Sequence, residues 1–137
     1  MDTSIKCTGC GLSVNGITLY FYSTANTCVS TCPGANYGNG VTNVCDPCNT
    51  TCATCKGPAG TDCLTCSSGS LSAVTSECVN SCGDGYYSVS NVCYVCPSHC
   101  LKCTSATVCT ECKAVTGVPY FLNSTSCLLN CPSGKYG

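Results

Sequence analysis

CDPCNTTCATC, at residues 45–55, opens a run of eight cysteines that is completed by CLTC at 63–66 and CVNSC at 78–82. The same order of spacings begins again at Cys93 with CYVCPSHCLKC and continues with CTEC and CLLNC. An internal period of this kind is typical of arrays in which each unit is one small module packed on its neighbours. The sequence therefore predicts tandem cysteine-rich repeats.

The residues before Cys45 align with the rear part of such a repeat. Cys7 and Cys10 correspond to CLTC, while Cys28 and Cys32 correspond to CVNSC. The predicted domains are 1–44, the C-terminal part of a preceding repeat; 45–92, a complete repeat; and 93–137, a second repeat that is truncated at its end. We expect a fragment of a longer array, or a polymer subunit whose ends are completed by neighbours.

Composition predicts a fold held by disulfides. Leu, Ile, Val and Phe make up 24 of 137 residues, which is too few for a large core, whereas 20 residues are cysteine and the net charge is only -1. Cysteine at this density in a small chain indicates a disulfide framework. Because disulfides persist where the surroundings are oxidising, we expect passage through the secretory pathway to the extracellular space or the cell surface.

Two sequons are consistent with that compartment: Asn49-Thr50-Thr51 and Asn123-Ser124-Thr125. Each fits the N-glycosylation acceptor pattern, so covalent glycans are expected partners. No signal peptide is visible at Met1, and no apolar run approaches the ~18 residues of a membrane span. The sequence therefore predicts no direct membrane insertion in this segment.

The spaces between cysteines are too short for real helices. Runs such as GITLYFYST, SLSAVT, YYSVSNV and VPYFLNST alternate apolar with polar residues, as short half-buried strands do. Glycine and proline separate them. The predicted fold class is small and disulfide-rich, mostly β-hairpins and loops with very little helix, in an elongated rod.

The full pattern resembles a furin-like repeat. It comprises C-x2-C-x3-C-x2-C, the Gly57-Pro58 pair, C-x2-C, C-x3-C and a following Gly-Tyr turn, and it covers the chain from Cys7 to Tyr136. Such repeats form the cysteine-rich domains of growth-factor receptors and the C-terminal arrays of some proprotein convertases, and similar arrays occur in surface proteins of ciliates and other protists. The loops that follow Cys10 and Cys112 are longer than the one that follows Cys66.

The resemblance implies nine disulfides, which spacing alone leaves undetermined because even eight cysteines allow 105 connectivities. The implied pairs are Cys10 with Cys28, Cys32 with Cys45, Cys48 with Cys55, Cys52 with Cys63, Cys66 with Cys78, Cys82 with Cys93, Cys96 with Cys103, Cys100 with Cys109 and Cys112 with Cys127.

Cys7 and Cys131 remain without partners in this scheme. Truncation is one interpretation, in which both bond to cysteines outside this segment. The other is a covalent head-to-tail fibre, in which Cys131 of one molecule bonds to Cys7 of the next, because heterologous contacts that do not close give open filaments.

Metal binding is the main rival interpretation, since each CxxC could be half of an intracellular zinc site. The low charge, the C-x3-C elements and the regular eight-cysteine period favour disulfides instead. A redox CxxC is disfavoured because the βαβ context of a thioredoxin-like motif is absent. We expect no cofactor.

Catalysis and nucleic-acid binding have little support. The only histidine, His99, is expected in a turn between bridged cysteines, with a metal or acid–base role as the alternative. The six acidic residues are scattered, and Asp84, between two glycines, indicates a turn rather than a calcium ligand. With five lysines and no arginine there is no basic stripe for nucleic acid. The sequence predicts no enzyme activity.

Aromatic residues fall into two groups. Tyr37, Tyr87 and Tyr136 recur five residues after a C-x3-C element, and we expect them to pack on a disulfide. The second group lies in the two lengthened loops and is a candidate interface, with local packing over the neighbouring bridge as the alternative. Its members are Tyr20, Phe21, Tyr22, Tyr120 and Phe121.

These features together predict a non-enzymatic extracellular structural protein: a glycosylated repeat rod that serves as a surface-coat or fibre subunit or a spacer. Its expected partners are itself, in head-to-tail or lateral assembly, or other surface proteins. The stalk of a receptor or ligand-binding ectodomain is the alternative function.

Overall fold

The computed structural model describes residues 9–10, 16–115, 117–131 and 133. These residues form short strands joined by turns, with one 3-10 helix at Gly60–Asp62. The strands are β1 (Tyr20–Tyr22), β2 (Thr27–Val29), β3 (Asn36–Asn39), β4 (Val44–Pro47), β5 (Cys52–Cys55), β6 (Cys63–Cys66), β7 (Ser70–Ser72), β8 (Cys78–Val79), β9 (Tyr86–Val89), β10 (Val92–Val95), β11 (Cys100–Ser105), β12 (Val108–Cys112), β13 (Phe121–Asn123) and β14 (Ser126–Leu128). The predicted fold class, a small disulfide-rich protein of β-hairpins and loops, is confirmed.

The strands form two kinds of sheet. Two four-stranded sheets have the orders β2–β1–β4–β3 and β8–β7–β10–β9. Three two-stranded ribbons consist of β5–β6, β11–β12 and β13–β14. In both four-stranded sheets the central contact is parallel, between β1 and β4 or between β7 and β10. The outer pairs β1–β2, β3–β4 and β9–β10 are antiparallel.

One expected strand folds differently. The run YYSVSNV is a hairpin, because Ser90 and Asn91 have positive φ angles of 50° and 61° and turn the chain between β9 and β10. Two consecutive residues with positive φ are the signature of a type I′ turn, whose twist matches that of the flanking strands.

The chain divides into two compact units. The first comprises residues 1–68 and 76–78, and the second comprises 69–75 and 79–137. The repeat boundaries at residues 45 and 93 describe the period of the sequence, and they stay a prediction.

The core is made of cysteine. In the part of the chain that the structure describes, the buried hydrophobic residues are all half-cystines and no polar or charged residue is buried. They are Cys45, Cys52, Cys55, Cys63, Cys93, Cys96, Cys100 and Cys109. Apolar burial is therefore small, and the constraint that disulfides place on the unfolded chain takes over much of the stabilising role of a core.

Candidate functional site

Nine disulfides lie in the described residues, and they join the same nine pairs that the resemblance implies. The pairs are Cys10–Cys28, Cys32–Cys45, Cys48–Cys55, Cys52–Cys63, Cys66–Cys78, Cys82–Cys93, Cys96–Cys103, Cys100–Cys109 and Cys112–Cys127. Their Cα–Cα separations run from 5.1 to 5.7 Å, inside the ordinary range for disulfides. The bridges link residues 7 to 18 positions apart, so each one staples a local loop.

The two C-x2-C-x3-C-x2-C segments, residues 45–55 and 93–103, are here called the four-cysteine loops. They have the same backbone hydrogen bonds. In the first, the Cys52 amide donates to the Asn49 carbonyl at 2.9 Å, and the Ser67 amide donates to the Thr51 carbonyl at 3.0 Å. In the second, the Cys100 amide donates to the Pro97 carbonyl at 3.2 Å, and the Lys113 amide donates to the His99 carbonyl at 2.7 Å. The cysteine spacing thus reproduces one backbone arrangement with unrelated side chains.

The β5–β6 and β11–β12 ribbons differ at one cross-strand position. Between β5 and β6, the Thr54 and Thr65 hydroxyls are hydrogen-bonded at 2.6 Å. Between β11 and β12, Lys102 Nζ lies 2.7 Å from Glu111 Oε2. The hydrogen bond to Glu111, and then its negative charge, raise the pKa of Lys102 above its ordinary value.

A sulfur cluster lies in the second unit. Cys96, Cys100 and Cys109 pack together, and Tyr87 packs against them with Cys103 and Cys127. Cys109 Sγ lies 3.2 Å from Cys127 Sγ, so two disulfides touch. The expectation that Tyr87 packs on a disulfide is confirmed, while Tyr136 lies outside the described residues.

The same sulfurs bear on the zinc alternative. Two groups of three sulfurs are close enough to share a metal ion: Cys96 with Cys100 and Cys103, and Cys100 with Cys109 and Cys127. All five of these cysteines are half-cystines in this structure. Because thiolates rather than disulfide sulfurs are the metal ligands, zinc binding by these groups would require the bridges to be reduced, and the absence of a metal site stays a prediction.

His99 lies in a turn, as expected. Its φ angle is 64°, and its exposed ring stacks on Tyr120 with centroids 4.1 Å apart and planes 13° apart. This contact ties the lengthened loop after Cys112 to the preceding four-cysteine loop. It gives Tyr120 the local packing that was the alternative to an interface.

The other candidate interface residues also make local contacts. Tyr20, Phe21 and Tyr22 form β1, a central strand of its sheet rather than the tip of a loop. The Tyr20 ring occupies the space beside Gly38 where a Cβ would lie. Phe121 begins β13, and all of these side chains are half-buried. Their role as an interface stays a prediction.

The two sequons differ in their surroundings. Asn49 is half-buried, and its Oδ1 accepts hydrogen bonds from the Thr51 amide at 3.2 Å and the Thr51 hydroxyl at 2.9 Å. Asn123 is exposed at the end of β13. Glycosylation at either site stays a prediction.

Sequence reasoning missed a repeated turn. Asn43 and Asn91 both have positive φ angles, of 53° and 61°, and both begin an Asn-Val-Cys segment that leads into the parallel strand of its sheet. Asparagine tolerates this left-handed conformation better than most residues. The recurrence of Asn-Val-Cys at 43–45 and 91–93 was the available signal.

Cys131 is the free cysteine of the described residues, and it is half-buried. Cys7, the other residue without a partner in the implied scheme, lies outside the described residues. A bridge that links Cys131 to another molecule or to a further segment therefore stays a prediction.

No family model matches the chain. Curated relatives do match its cysteine-rich segments. The chain is 44% identical over 87 residues to furin-like protease 2 of Drosophila melanogaster, a match that covers 62% of the chain and 5% of that protein. It is 39% identical over 146 aligned residues to cysteine repeat modular protein 2 of Tetrahymena thermophila, with 95% of the chain and 7% of that protein covered.

The disulfide pairing and these matches agree. The chain consists of furin-like cysteine-rich repeats. A third relative is the human extracellular matrix organizing protein FRAS1, 32% identical over 110 residues, which cover 80% of the chain and 3% of that protein. The furin-like repeats thus match cysteine-rich regions that are small parts of much longer relatives.

The disulfides and the relatives also indicate where these furin-like repeats are located. Nine disulfides are typical of the secretory and extracellular environment. One of the relatives is named for the extracellular matrix. Together they support an extracellular location. Among the described residues, no helix has the length and apolar character needed to cross a membrane.

Proposed function

We propose that these furin-like repeats are a non-enzymatic structural module, an extended and glycosylated array that serves as a surface-coat or fibre subunit or as a spacer. The observation that carries the proposal is the all-cystine core. A chain that holds its backbone with bridges needs few side chains for folding, and it keeps its shape after export.

The surface chemistry supports the same role. Within the described residues Lys102 and Glu111 form the only ion pair, and both side chains are about half exposed. No buried titratable group is present in that part of the chain. Because catalytic acids and bases are usually recognised by strongly perturbed environments, this surface is better suited to display and spacing than to chemistry.

Self-assembly or contact with other surface proteins is part of the proposal. The half-buried aromatic side chains of β1, together with Tyr120 and Phe121, are the residues that we assign to such contacts. The glycans would be carried by Asn49 and Asn123, and they would keep a chain with few charges in solution.

The stalk of a receptor or ligand-binding ectodomain is the second candidate. The observation that favours it is the small share, 3% to 7%, that the chain covers in its three compared relatives, because a module of that size leaves room for recognition domains elsewhere.

Sequential extraction of intact cells distinguishes the two candidates. Surface material is treated first with non-ionic detergent and then with detergent plus a thiol reductant, and the chain is followed with an antibody. A coat or fibre subunit stays in the pellet until the reductant is added. Complete release by detergent alone contradicts that role and supports the stalk.

The same antibody tests the compartment. It is expected to stain cells that have not been permeabilised. Staining that requires permeabilisation would contradict an extracellular role for either candidate.

A further inference from the structure

Two disulfides of the second unit touch each other. Cys100 is bonded to Cys109, and Cys112 is bonded to Cys127. The sulfurs of Cys109 and Cys127, which belong to different bridges, lie only 3.2 Å apart. If the bridge of Cys127 opens, its sulfur is therefore already in contact with the bridge of Cys109.

The remaining two cysteines are also placed to bond to each other. Cys100 and Cys112 lie directly opposite each other in the β11–β12 ribbon. Opposite residues of an antiparallel pair have Cα atoms about 4.5 or 5.5 Å apart, and both values fall within the range of about 4.4–6.8 Å that disulfides span. The four cysteines therefore have a second complete set of partners: Cys109 with Cys127, and Cys100 with Cys112.

The lengthened loop after Cys112 brings the two bridges together. The Cys109 amide donates to the Thr125 carbonyl at 2.8 Å, and Cys127 follows two residues later in β14. This hydrogen bond holds the turn between β13 and β14 against β12, the strand that carries Cys109. The contact between the two disulfides is thus set by the backbone.

The first unit has the matching cysteines without the contact. In the same order along the chain, they are Cys52, Cys63, Cys66 and Cys78. Cys52 and Cys66 also lie opposite each other, in the β5–β6 ribbon. Among the residues that the structure describes, the sulfurs of Cys100, Cys109 and Cys127 all lie within 4.8 Å of one another, whereas those of Cys52, Cys63 and Cys78 do not.

Burial does not distinguish the two units. In each, the first bridge, Cys52–Cys63 or Cys100–Cys109, is buried, with every half-cystine at most 5% exposed. In each, the cysteines of the second bridge are half-buried. Because solvent reaches the matching bridges to a similar extent, the sulfur–sulfur contact is the difference between them that bears on reactivity.

We propose that the two touching bridges form a thiol-exchange site in the second unit. A small thiol of the glutathione type adds at Cys112, and the four cysteines then change to their second set of partners. The first unit, which lacks the contact, keeps a single set.

The exchange takes three steps. The thiolate of the small thiol attacks the Cys112 sulfur, a mixed disulfide forms, and Cys127 leaves as a thiolate. The Cys127 thiolate attacks Cys109 across the contact, the bond between them forms, and Cys100 leaves as a thiolate. The Cys100 thiolate then attacks Cys112, and the small thiol leaves. The number of disulfides is unchanged, so no oxidant or reductant is consumed.

The inference goes beyond the proposed function, because it adds covalent reactivity to a module that we propose to be structural. Both sets of partners close the same segment with two bridges, so the second unit can react with thiols and remain closed. The inference can fail alone, since a chain with one fixed set of bridges would still serve as a coat subunit or spacer.

The first test creates the attacking thiol by substitution, so that no small thiol is needed. Cys112→Ser leaves Cys127 as a permanent thiol beside Cys109. Cys66→Ser is the matched control, because it leaves Cys78 as a thiol in the first unit. Free thiols are alkylated at mildly acidic pH, where thiolates are few and exchange is slow. Mass spectrometry of the unreduced digest then shows which cysteines carry the label.

The two variants should differ in which bridge opens. Exchange releases Cys100 in the Cys112→Ser variant and would release Cys52 in the Cys66→Ser variant. We expect the labelling of Cys100 to exceed that of Cys52 by about tenfold or more, because only in the first variant is the new thiol held against the bridge that it attacks.

A second measurement uses the unaltered chain, so it does not depend on the folding of a variant. The chain with its nine disulfides is incubated with reduced glutathione at mildly alkaline pH, then quenched with acid and alkylated. Cleavage after Lys102, Glu111 and Lys113 separates the four cysteines onto different peptides. The two disulfides of the second set should accumulate together and in equal amounts.

Three outcomes would overturn the proposal. One is label confined to Cys127 in the Cys112→Ser variant, with none on Cys100. Another is equal exchange in the two variants, which would show that the sulfur–sulfur contact is not the cause. The third is a reaction of the unaltered chain in which glutathione opens the bridge of Cys112 and leaves that of Cys100 intact.

Discussion

The β3–β4 hairpin and the β9–β10 hairpin have the same backbone pairing but different side-chain contacts. Each pairs four residues with four, and each is bonded to the last cysteine of a C-x3-C element. In the first hairpin the side-chain amide of Asn39 donates from Nδ2 to Asp46 Oδ2 at 2.7 Å. In the second, the Tyr87 and Tyr94 rings lie 5.7 Å apart.

The neighbouring strand varies together with the hairpin. Tyr20 in β1 covers Gly38, which pairs with Cys45. At the equivalent positions of the second sheet stand Ser70 and Ser88. A large side chain beside glycine is thus exchanged for two small ones. The comparison teaches that the bridges fix the backbone, while side chains vary freely as long as their direct neighbours compensate.

Removal of the hairpin disulfides should have the largest effect. We expect the double variants Cys32→Ala with Cys45→Ala, and Cys82→Ala with Cys93→Ala, each to lose about 3 kcal/mol of unfolding free energy, the value for a loop of roughly 15 residues. Because the two loops are similar in length, the losses should agree within about 1 kcal/mol, the usual worth of one hydrogen bond. Urea unfolding followed by tyrosine fluorescence measures both. If a hairpin lost little unfolding free energy without its disulfide, its side-chain contacts rather than the disulfide would be what stabilises it.

An intermediate effect is expected at Gly38. Gly38→Ser places a Cβ where the Tyr20 ring lies, and overpacking of this kind costs about 1–3 kcal/mol. Adding Tyr20→Ser reproduces the Ser70 and Ser88 pair and should recover part of the loss. The matched control is Ser88→Ala in the other hairpin, which should change stability by less than about 0.5 kcal/mol. If Gly38→Ser were as mild as this control, the proposed compensation would be wrong.

The smallest effect is expected for the exposed pair on β11 and β12. Replacing Lys102 and Glu111 with threonine copies the Thr54 and Thr65 pair of the other ribbon. Exposed ion pairs contribute little, so the unfolding midpoint should fall slightly in low salt and not at all in high salt. A loss as large as that of Gly38→Ser would contradict this.

The pH dependence of the same pair has a defined sign. Glu111 raises the pKa of Lys102, so the folded state binds the proton more tightly than the unfolded state does. The stabilisation is complete below the unfolded-state pKa of the lysine and disappears as pH rises through the raised folded-state pKa. The difference between the wild-type chain and the double threonine variant should therefore be constant near neutral pH and vanish in strong alkali.

Much of the fold follows from cysteine spacing, but the pairing does not. The regular period predicts repeats and short hairpins. The cysteine spacing leaves the disulfide partners undetermined, and the resemblance to furin-like repeats supplied them. The packing of Tyr87 against disulfide sulfurs was also predictable, because a tyrosine recurs at a fixed distance after each C-x3-C element.

Long-range pairing explains what could not be predicted. Tyr20, Phe21 and Tyr22 were interpreted as the exposed tip of a lengthened loop, yet Phe21 pairs in parallel with Val44 of β4, at the far end of the next disulfide loop. Such pairing leaves no local pattern.

The central claim is that bridges between the nine pairs of cysteines hold this chain, in an oxidising compartment. The direct measurement is a disulfide peptide map of natively isolated protein, alkylated without reduction, with bound metal determined on the same sample. The account predicts the nine pairs described above, with no stoichiometric metal. Mostly alkylated cysteines together with stoichiometric zinc would contradict the fold, the compartment and the proposed function at once.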